Sequence, residues 1–542
     1  MNRFRPCTGL LMLTLLTVGA SRLVGHDEHP NPVKAVAAAD LHRATPIPDR
    51  VVLTWAGDPA SSQAVTWRTS TDVTRGLAQL GLASEKAQTS TSEHVATTVR
   101  HETQFGPVHY HSIDFRQLAA NTLYAYRVGD GVNWSEWFHF RTARAEPAPF
   151  TFVYFGDAQN DIRTHWSRVF REAFREAPRA AFTLHAGDLI NRAENDAEWG
   201  EWFAAPAWVN GTIPVIATPG NHEYFNVGAG PATERLWNTK AGGTVKVTVD
   251  IKVEKDGQGQ TVSHRVQARA ADGTLATATL DARELFTSVD AGFTALTGFT
   301  FADLIDREPD NPPLRDRLAN PGVRTLSRHW APQFALPRNG PAGLEETVYV
   351  LDYQGARIVS LNSNERQAEQ VPWLRKVLSE NRQRWTILTF HHPIFSPAKG
   401  RDNAALRELW KPVFDEFKVD LVLTGHDHTY ARSGDVSNRV RVGIQNVPDG
   451  YNQAYDPAIG TVYVVSVSGP KMYDLSNDAW AVRTAEDTQL FQIITVDGNE
   501  LRYTARTATS RLYDEFTLVK RAGQPNQLVE SLPPERRRTG SR

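Results

Sequence analysis

Cysteine is all but missing from these 542 residues: Cys7 is the only one, and it lies near the N-terminus. No internal disulfide framework and no thiolate-clustered zinc site can form from it. An excess of one charge is missing too, with 59 Lys and Arg against 61 Asp and Glu and a formal net charge of −2. Such a chain has no bulk attraction to nucleic acid or to an anionic membrane, and no nucleic-acid-binding patch stands out along it. Beyond the N-terminal segment no apolar run reaches the roughly 18 residues of a membrane helix, so no transmembrane anchor is expected. Solenoid repeats, long low-complexity tracts, a GxSxG elbow and a P-loop are also absent, which leaves serine-hydrolase and P-loop readings without support. What is present is the composition of an ordinary folded protein, 41% hydrophobic and 22% charged. Its length suggests about three to five domain-sized units.

The opening MNRFRPCTGLLMLTLLTVGASRLVG carries Arg3 and Arg5, then an apolar stretch from Gly9 to Ala20 ending in small residues. It resembles a secretory signal peptide over 1–24 and is too short to span a bilayer. Cys7 precedes the apolar stretch, a poor position for lipid attachment. A secreted or periplasmic protein is the expectation. Residues 25–45, with His26, His29, Pro30 and Pro32, read as a linker.

Over 46–145, short runs of β-branched and aromatic residues dominate. VVLTW (51–55) and AVTWR (64–68) flank a Gly57-Asp58-Pro59 turn, and LYAYRV (123–128) sets Tyr124, Tyr126 and Val128 on one face. This predicts a small β-sandwich, with its Trp and Tyr residues in the core rather than on a carbohydrate platform. The ARAEPAP stretch (143–149) reads as a linker. Across 148–515, TFVYF (151–155), AFTLHA (181–186), PVIAT (214–218), ARIVSL (356–361), WTILTF (385–390) and VDLVLT (419–424) look like buried strands. Helical spacing lies between them, as in Ile162, Trp166, Val169 and Phe170, and the alternation predicts an α/β catalytic domain. About residues 240–325 interrupt it. There Val245, Val247, Val249, Ile251 and Val253 alternate with polar residues, and KDGQGQ (255–260) supplies a turn. A β-rich insertion with its own antiparallel sheet is expected, and 516–542 reads as a tail.

Five of the six apolar runs end in clusters of metal-ligand type. In order they are Asp157 and Gln159, then Asp188 and Asn191, then Asn221, His222 and Glu223, then His391 and His392, and finally His426 and His428. A carboxylate has two oxygens and can bridge two cations. Imidazoles suit zinc, iron and other first-row ions, and carboxylates offset the charge of a metal pair. A single GD or HxH is commonplace; five in series, each after a buried strand, form a pattern.

That pattern resembles the dinuclear calcineurin-like metallophosphoesterase superfamily, and with a β-sandwich in front it is most similar to the purple acid phosphatase branch. The resemblance covers about 46–240 and 325–510. It implies a fibronectin type III-like N-terminal domain and a catalytic α/β domain built as a two-sheet β-sandwich flanked by helices. It further implies two metal ions per chain, with Asp157, Asp188 and His428 holding the first. Asp188 as the bridge, Asn221, His391 and His426 would hold the second. His222 takes the place of the histidine that contacts substrate and protonates the leaving group, with His392 as a further substrate-side candidate. The implied activity is phosphomonoester hydrolysis by water activated at the metal pair, without a covalent protein intermediate.

Three departures from the family pattern matter. Asn191 stands where that branch has its iron-binding tyrosine, and Gln159 where the branch has glycine and the wider superfamily often a histidine. After FHHP no substrate-binding histidines follow; SPAKGRDN offers Lys399 and Arg401 instead. Divalent iron, zinc or manganese all suit such a site. Rival readings are a phosphodiesterase or nucleotidase, or an exported binding protein that works through its β-domain. Other chemistry-bearing residues have plainer readings: His185 as a core histidine, His109 and His111 as surface residues, and Glu223 as a solvated or ligand-orienting group.

Overall fold

The computed structural model describes residues 35–86, 90–226, 233–238, 244–255, 261–270, 275–281, 324–398, 400–436, 451, 454–476 and 479–531. The signal-peptide reading and Lys399 lie outside the described residues. The segment before His42 contains one short helical turn, Ala38–Leu41, with no buried residue.

Two four-stranded antiparallel sheets make up the N-terminal part. One runs Asp49–Thr54, Gln63–Ser70, Gly106–Phe115, Thr97–Thr103; the other runs Ser92–Val95, Leu77–Leu82, Leu123–Gly129, Phe138–Arg141. Leu53, Val65, Trp67, Leu80, Ile113, Tyr126 and Phe140 close the core between them, so Trp67, Tyr124 and Tyr126 are core as predicted, whereas Trp137 is 43% exposed and Trp55 packs on Phe182 and Tyr353 of the second part. His111 is not a surface residue: it is fully buried, bonded to the hydroxyls of Thr69 at 2.8 Å and Thr98 at 2.9 Å. Arg50 and Arg68 reach across to buried Asp196 at 2.7 and 3.1 Å and fasten this part to the helix Asp196–Ala204 of the second.

The second part holds two seven-stranded sheets. In the first, Val215–Ala217, Thr183–His185 and Phe150–Phe155 run parallel, and Leu490–Asp497, Glu500–Thr507, Leu512–Arg521 and Gln524–Glu530 extend it antiparallel. In the second, Ala356–Ser360, Trp385–Thr389, Leu421–Thr424 and Val462–Val465 run parallel, edged by Tyr349–Tyr353 on one side and by Tyr430–Ser433 and Ala481–Ala485 on the other. Phe152, Leu184, Ile216 and Ile494 of the first sheet share a core with Ile358, Ile387, Leu423 and Val464 of the second. Successive side chains of a strand point to opposite faces. Val359, Leu388 and Val422 accordingly meet Leu374, Trp410, Val413 and Phe414 of the helices Gln370–Ser379 and Ala404–Glu416. All six apolar runs are strands, and the sandwich explains why they are apolar along their whole length.

Two boundaries move. The tail expected from 516 is instead sheet: Leu512–Arg521 and Gln524–Glu530 pair with each other, and Phe516 and Leu518 are fully buried. The insertion starts before 240, because Thr233–Asn238 opens its four-stranded sheet, followed by Thr244–Lys255, Thr261–Ala270 and Leu275–Asp281. Its two ends meet, since Tyr224–Asn226 pairs antiparallel with Arg324–Leu326.

Candidate metal centre

The ligand-type residues lie just past the C-terminal ends of parallel strands from both sheets, where turns must be sharp. Asp157, Asp188, His426 and His428 have φ of 20°, 51°, 74° and 47°, all in the left-handed region that costs a non-glycine residue energy. Four strained residues in one place mark a site the surrounding fold over-determines. The turns also need close approach. A Cβ on Gly220 would collide with Asp188, and one on Gly425 with Asp157.

Two overlapping donor groups result: Asp188, His391 and His426, and Asp157, Asp188 and His428, each with ligand atoms within 4.8 Å of one another. His391 Nε2 lies 3.1 Å from Asp188 Oδ2, 3.0 Å from Asn221 Oδ1 and 3.1 Å from His426 Nδ1. The other nitrogens of two histidines are committed to backbone, His391 Nδ1 to Ala186 O at 2.9 Å and His428 Nδ1 to Lys471 O at 2.8 Å. Those bonds make Nδ1 the donor and turn Nε2 inward, the usual way a ligating imidazole is oriented. Each carboxylate also grips another motif's backbone: Asp157 Oδ2 accepts from His426 N at 2.6 Å, and Asp188 Oδ1 from His222 N at 2.8 Å.

The donor set fits metal ions. Asp157 Oδ1 and Gln159 Oε1 are buried without a hydrogen-bond partner among the described residues, oxygens that a cation would satisfy. Electrostatics agree. Burial pushes Asp157 well above its ordinary range, with Asp188 adding to the push. Burial acts on Asp188 the same way, but the charge and hydrogen bond of His391 outweigh it and hold that carboxyl well below. Burial lowers His391, yet Asp188 and Asp157 raise it to about 9, so the centre favours a positive charge. Burial lowers His426 and His428, the latter to about 4, keeping both imidazoles neutral.

Gln159 sits inside the first group, its Nε2 3.1 Å from Asp188 Oδ2 and 2.8 Å from His428 Nε2. Asn191 acts through its backbone: its carbonyl accepts from His222 Nδ1 at 2.6 Å, which fixes the ring. His392 lies with its ring 4.1 Å from that of His426 and is held by Ser363 Oγ, 2.8 Å from Nδ1 and 2.9 Å from its backbone N. Arg401 is brought to the site as well. Its Nε is 3.0 Å from Asp427 Oδ1, and its Nη2 contacts His426 Nε2. Outside the site, His185 is a core histidine, buried against Phe155 and bonded to Thr183.

Glu223 is neither solvated nor an orienter of histidine. Fully buried, it accepts from Gly220 N at 2.6 Å, Asp188 N at 2.9 Å, Leu189 N at 2.8 Å and Ile190 N at 3.3 Å, tying the second and third turns together. The sequence reading also passed over Asp427, Tyr473 and Ser363. Asp427 stands between the two histidines of GHDH, and Ser363 in the polar NSNE that ends the one apolar run not counted as a site. Tyr473, 4.7 Å from the His428 ring, has no such signal.

Comparison with known proteins agrees with this arrangement. Residues 48–142 match the purple acid phosphatase N-terminal domain, and 150–263 with 314–430 match the calcineurin-like phosphoesterase domain. Purple acid phosphatase 15 of Arabidopsis thaliana is 28% identical over 148 residues, 26% of this chain and 25% of that protein. Acid phosphatase type 7 of Danio rerio is 28% identical over 203 residues, 35% of this chain and 45% of that protein. The chain thus spans less than half the length of these curated relatives. Purple acid phosphatase PPD1 from yellow lupin (Lupinus luteus) seeds has the same fold, with a TM-score of 0.56 at 17% identity, covering 88% of this chain and 75% of that one. With both domains in this order and the paired Asp and His clusters between its sheets, the chain belongs to the calcineurin-like metallophosphoesterases, a family of hydrolases, in the purple acid phosphatase branch.

Proposed function

We propose that this protein is an exported phosphomonoesterase working at a dinuclear metal centre. The observation that supports it most is the pair of donor groups sharing Asp188, because a shared carboxylate is what holds two cations side by side. Asp157, Asp188 and His428 would hold one ion, and Asp188, Asn221, His391 and His426 the other, with divalent iron, zinc or manganese suited to the set. Bound there, the ions supply an activated water and offset charge on the phosphoryl oxygens.

The remaining roles fall to the chain's own side chains. His222 is half-buried, with Nδ1 donating to the Asn191 carbonyl, so Nε2 is the nitrogen that delivers a proton to the leaving oxygen. His392, braced by Ser363 and packed on His426, faces the same space and supplies a hydrogen-bonding nitrogen to substrate. The strained turns keep the carboxylates in place, and Glu223 locks the Asp188 turn to the Gly220 turn. The N-terminal β-sandwich is fibronectin type III-like in this reading, and the leader directs export.

A panel of aryl phosphate mono- and diesters, assayed with and without added metal after chelation, tests the proposal. Metal-dependent turnover with monoesters ahead of diesters supports it. Preference for diesters moves the activity to a phosphodiesterase, and no hydrolysis of either under any metal rejects catalysis.

A further inference from the structure

Beside the ligating histidines stands a group of side chains that metal binding does not use. Arg401 is 28% exposed and anchored through Nε to the fully buried Asp427, with Nη2 also on the His426 carbonyl at 3.2 Å. Its guanidinium lies 5.0 Å from the centre of the Tyr473 ring, and Lys471 Nζ lies 5.4 Å from the same ring. The segment carrying Lys471 and Tyr473 is fastened to His428 twice: His428 Nδ1 donates to Lys471 O at 2.8 Å, and Tyr473 N donates to His428 O at 3.1 Å. Both residues are thus tied to the GHDH turn, Arg401 through Asp427 and the His426 carbonyl, and Lys471 through His428.

Resting on the phosphoesterase reading above, we propose that Arg401, Tyr473 and Lys471 form a cationic wall selecting phosphate esters whose leaving group carries a second negative charge. Asp427 offsets Arg401, whereas Lys471 has no ion pair among the described residues, so the wall keeps a positive charge to offer. The Tyr473 ring is engaged by Arg401, Lys471 and His428, so it serves as a spacer that sets the cations rather than as a surface for stacking a base. Recognition is therefore by charge. Arg401, on the His426 side, spends Nε on Asp427 and Nη2 on His426 and presents Nη1 to a phosphoryl oxygen, and Lys471, on the His428 side, is a point charge suited to a second anion.

Phenyl phosphate and 4-carboxyphenyl phosphate differ by one remote carboxylate and serve as probes with the metal-loaded, full-length protein. The wall predicts that kcat/KM for the carboxylated ester exceeds that for phenyl phosphate about tenfold at low salt, the gap narrowing as salt screens the pair. Lys471→Gln removes most of that ratio and Lys471→Arg restores it, with the metal content of both variants equal to wild type. Calorimetry with phenylphosphonate and 4-carboxyphenylphosphonate, which cannot be hydrolysed, should show the same difference in affinity. Equal kcat/KM for the two esters, or a Lys471→Gln variant that lowers both equally, overturns the wall and leaves the phosphoesterase reading standing. Failure to cleave either ester or bind either phosphonate overturns that reading and the wall with it.

Discussion

Replacing Glu223 with glutamine changes one oxygen of a buried carboxylate to an NH2 and should unlatch the centre without touching a ligand. In the wild-type protein Oε2 accepts from Gly220 N and Asp188 N, and Oε1 from Leu189 N and Ile190 N. Burial and the nearby Asp188 charge push the Glu223 pKa to about 7 while the amides pull it down; four N–H donors converging on two oxygens call for the ionised form. Glutamine keeps one oxygen, so two N–H groups lose their acceptor and face another donor. Hydrogen bonds to a charged group contribute about 1.5–3 kcal/mol each, which puts the loss at about 3–6 kcal/mol. Against a typical stability of about 5–15 kcal/mol that is severe. With a urea slope of about 3 kcal/mol/M, the unfolding midpoint of the catalytic domain should fall by about 1–2 M. Metal affinity should fall too, because Asp188 depends on this latch to hold its left-handed backbone. Urea titration by fluorescence together with metal analysis of the dialysed protein reads both effects. A Glu223→Gln protein with a wild-type midpoint and full metal content would refute the reasoning.

Three further outcomes are expected. His222→Asn should lower turnover about 10²–10⁴-fold on esters with poor leaving groups and much less on nitrophenyl esters, which need no proton, at unchanged metal content; an equal loss on both contradicts the acid role. His185 is buried with its pKa lowered from 6.5 to about 3. The unfolded chain binds the extra proton first, so this group costs stability as pH falls from about 6.5 toward 3, by about 1.4 kcal/mol per pH unit. His185→Phe should flatten the dependence of the urea midpoint on pH in that window, and an unchanged slope contradicts the assignment. Iron-loaded protein should lack an intense tyrosinate-to-iron band if, as the resemblance implies, Asn191 stands in the tyrosine's place; a strong visible band that disappears in Tyr473→Phe would contradict this.

Much of the centre was legible because its ligands obey a local rule, polar clusters directly after apolar strands. All six strands and the ligand-type residues at their ends are where that rule puts them. Pairings between distant segments carry no such mark. Glu223 was visible as a residue, but its four amide partners come from two turns more than thirty residues apart. The start of the insertion was missed because TERLWN has no period of two, although it pairs along its whole length with Thr244–Val249. The last two strands left a weak trace in Phe516 and Leu518, two residues apart and both buried, beside a charged ending that resembles a tail. Lys471 lies four residues after an apolar run, VYVVSV (462–467), that was not counted among the six, Tyr473 lies beyond ligand spacing, and only the fold sets them against His428.

The most direct test of the account is the metal count of Asp188→Ala. One buried carboxylate is shared by both donor groups, so the wild-type protein should bind two ions per chain and the variant should lose both along with its activity. Elemental analysis of the folded, dialysed proteins gives the answer. A variant that keeps two metals per chain and near-wild-type turnover contradicts the shared centre on which the function rests.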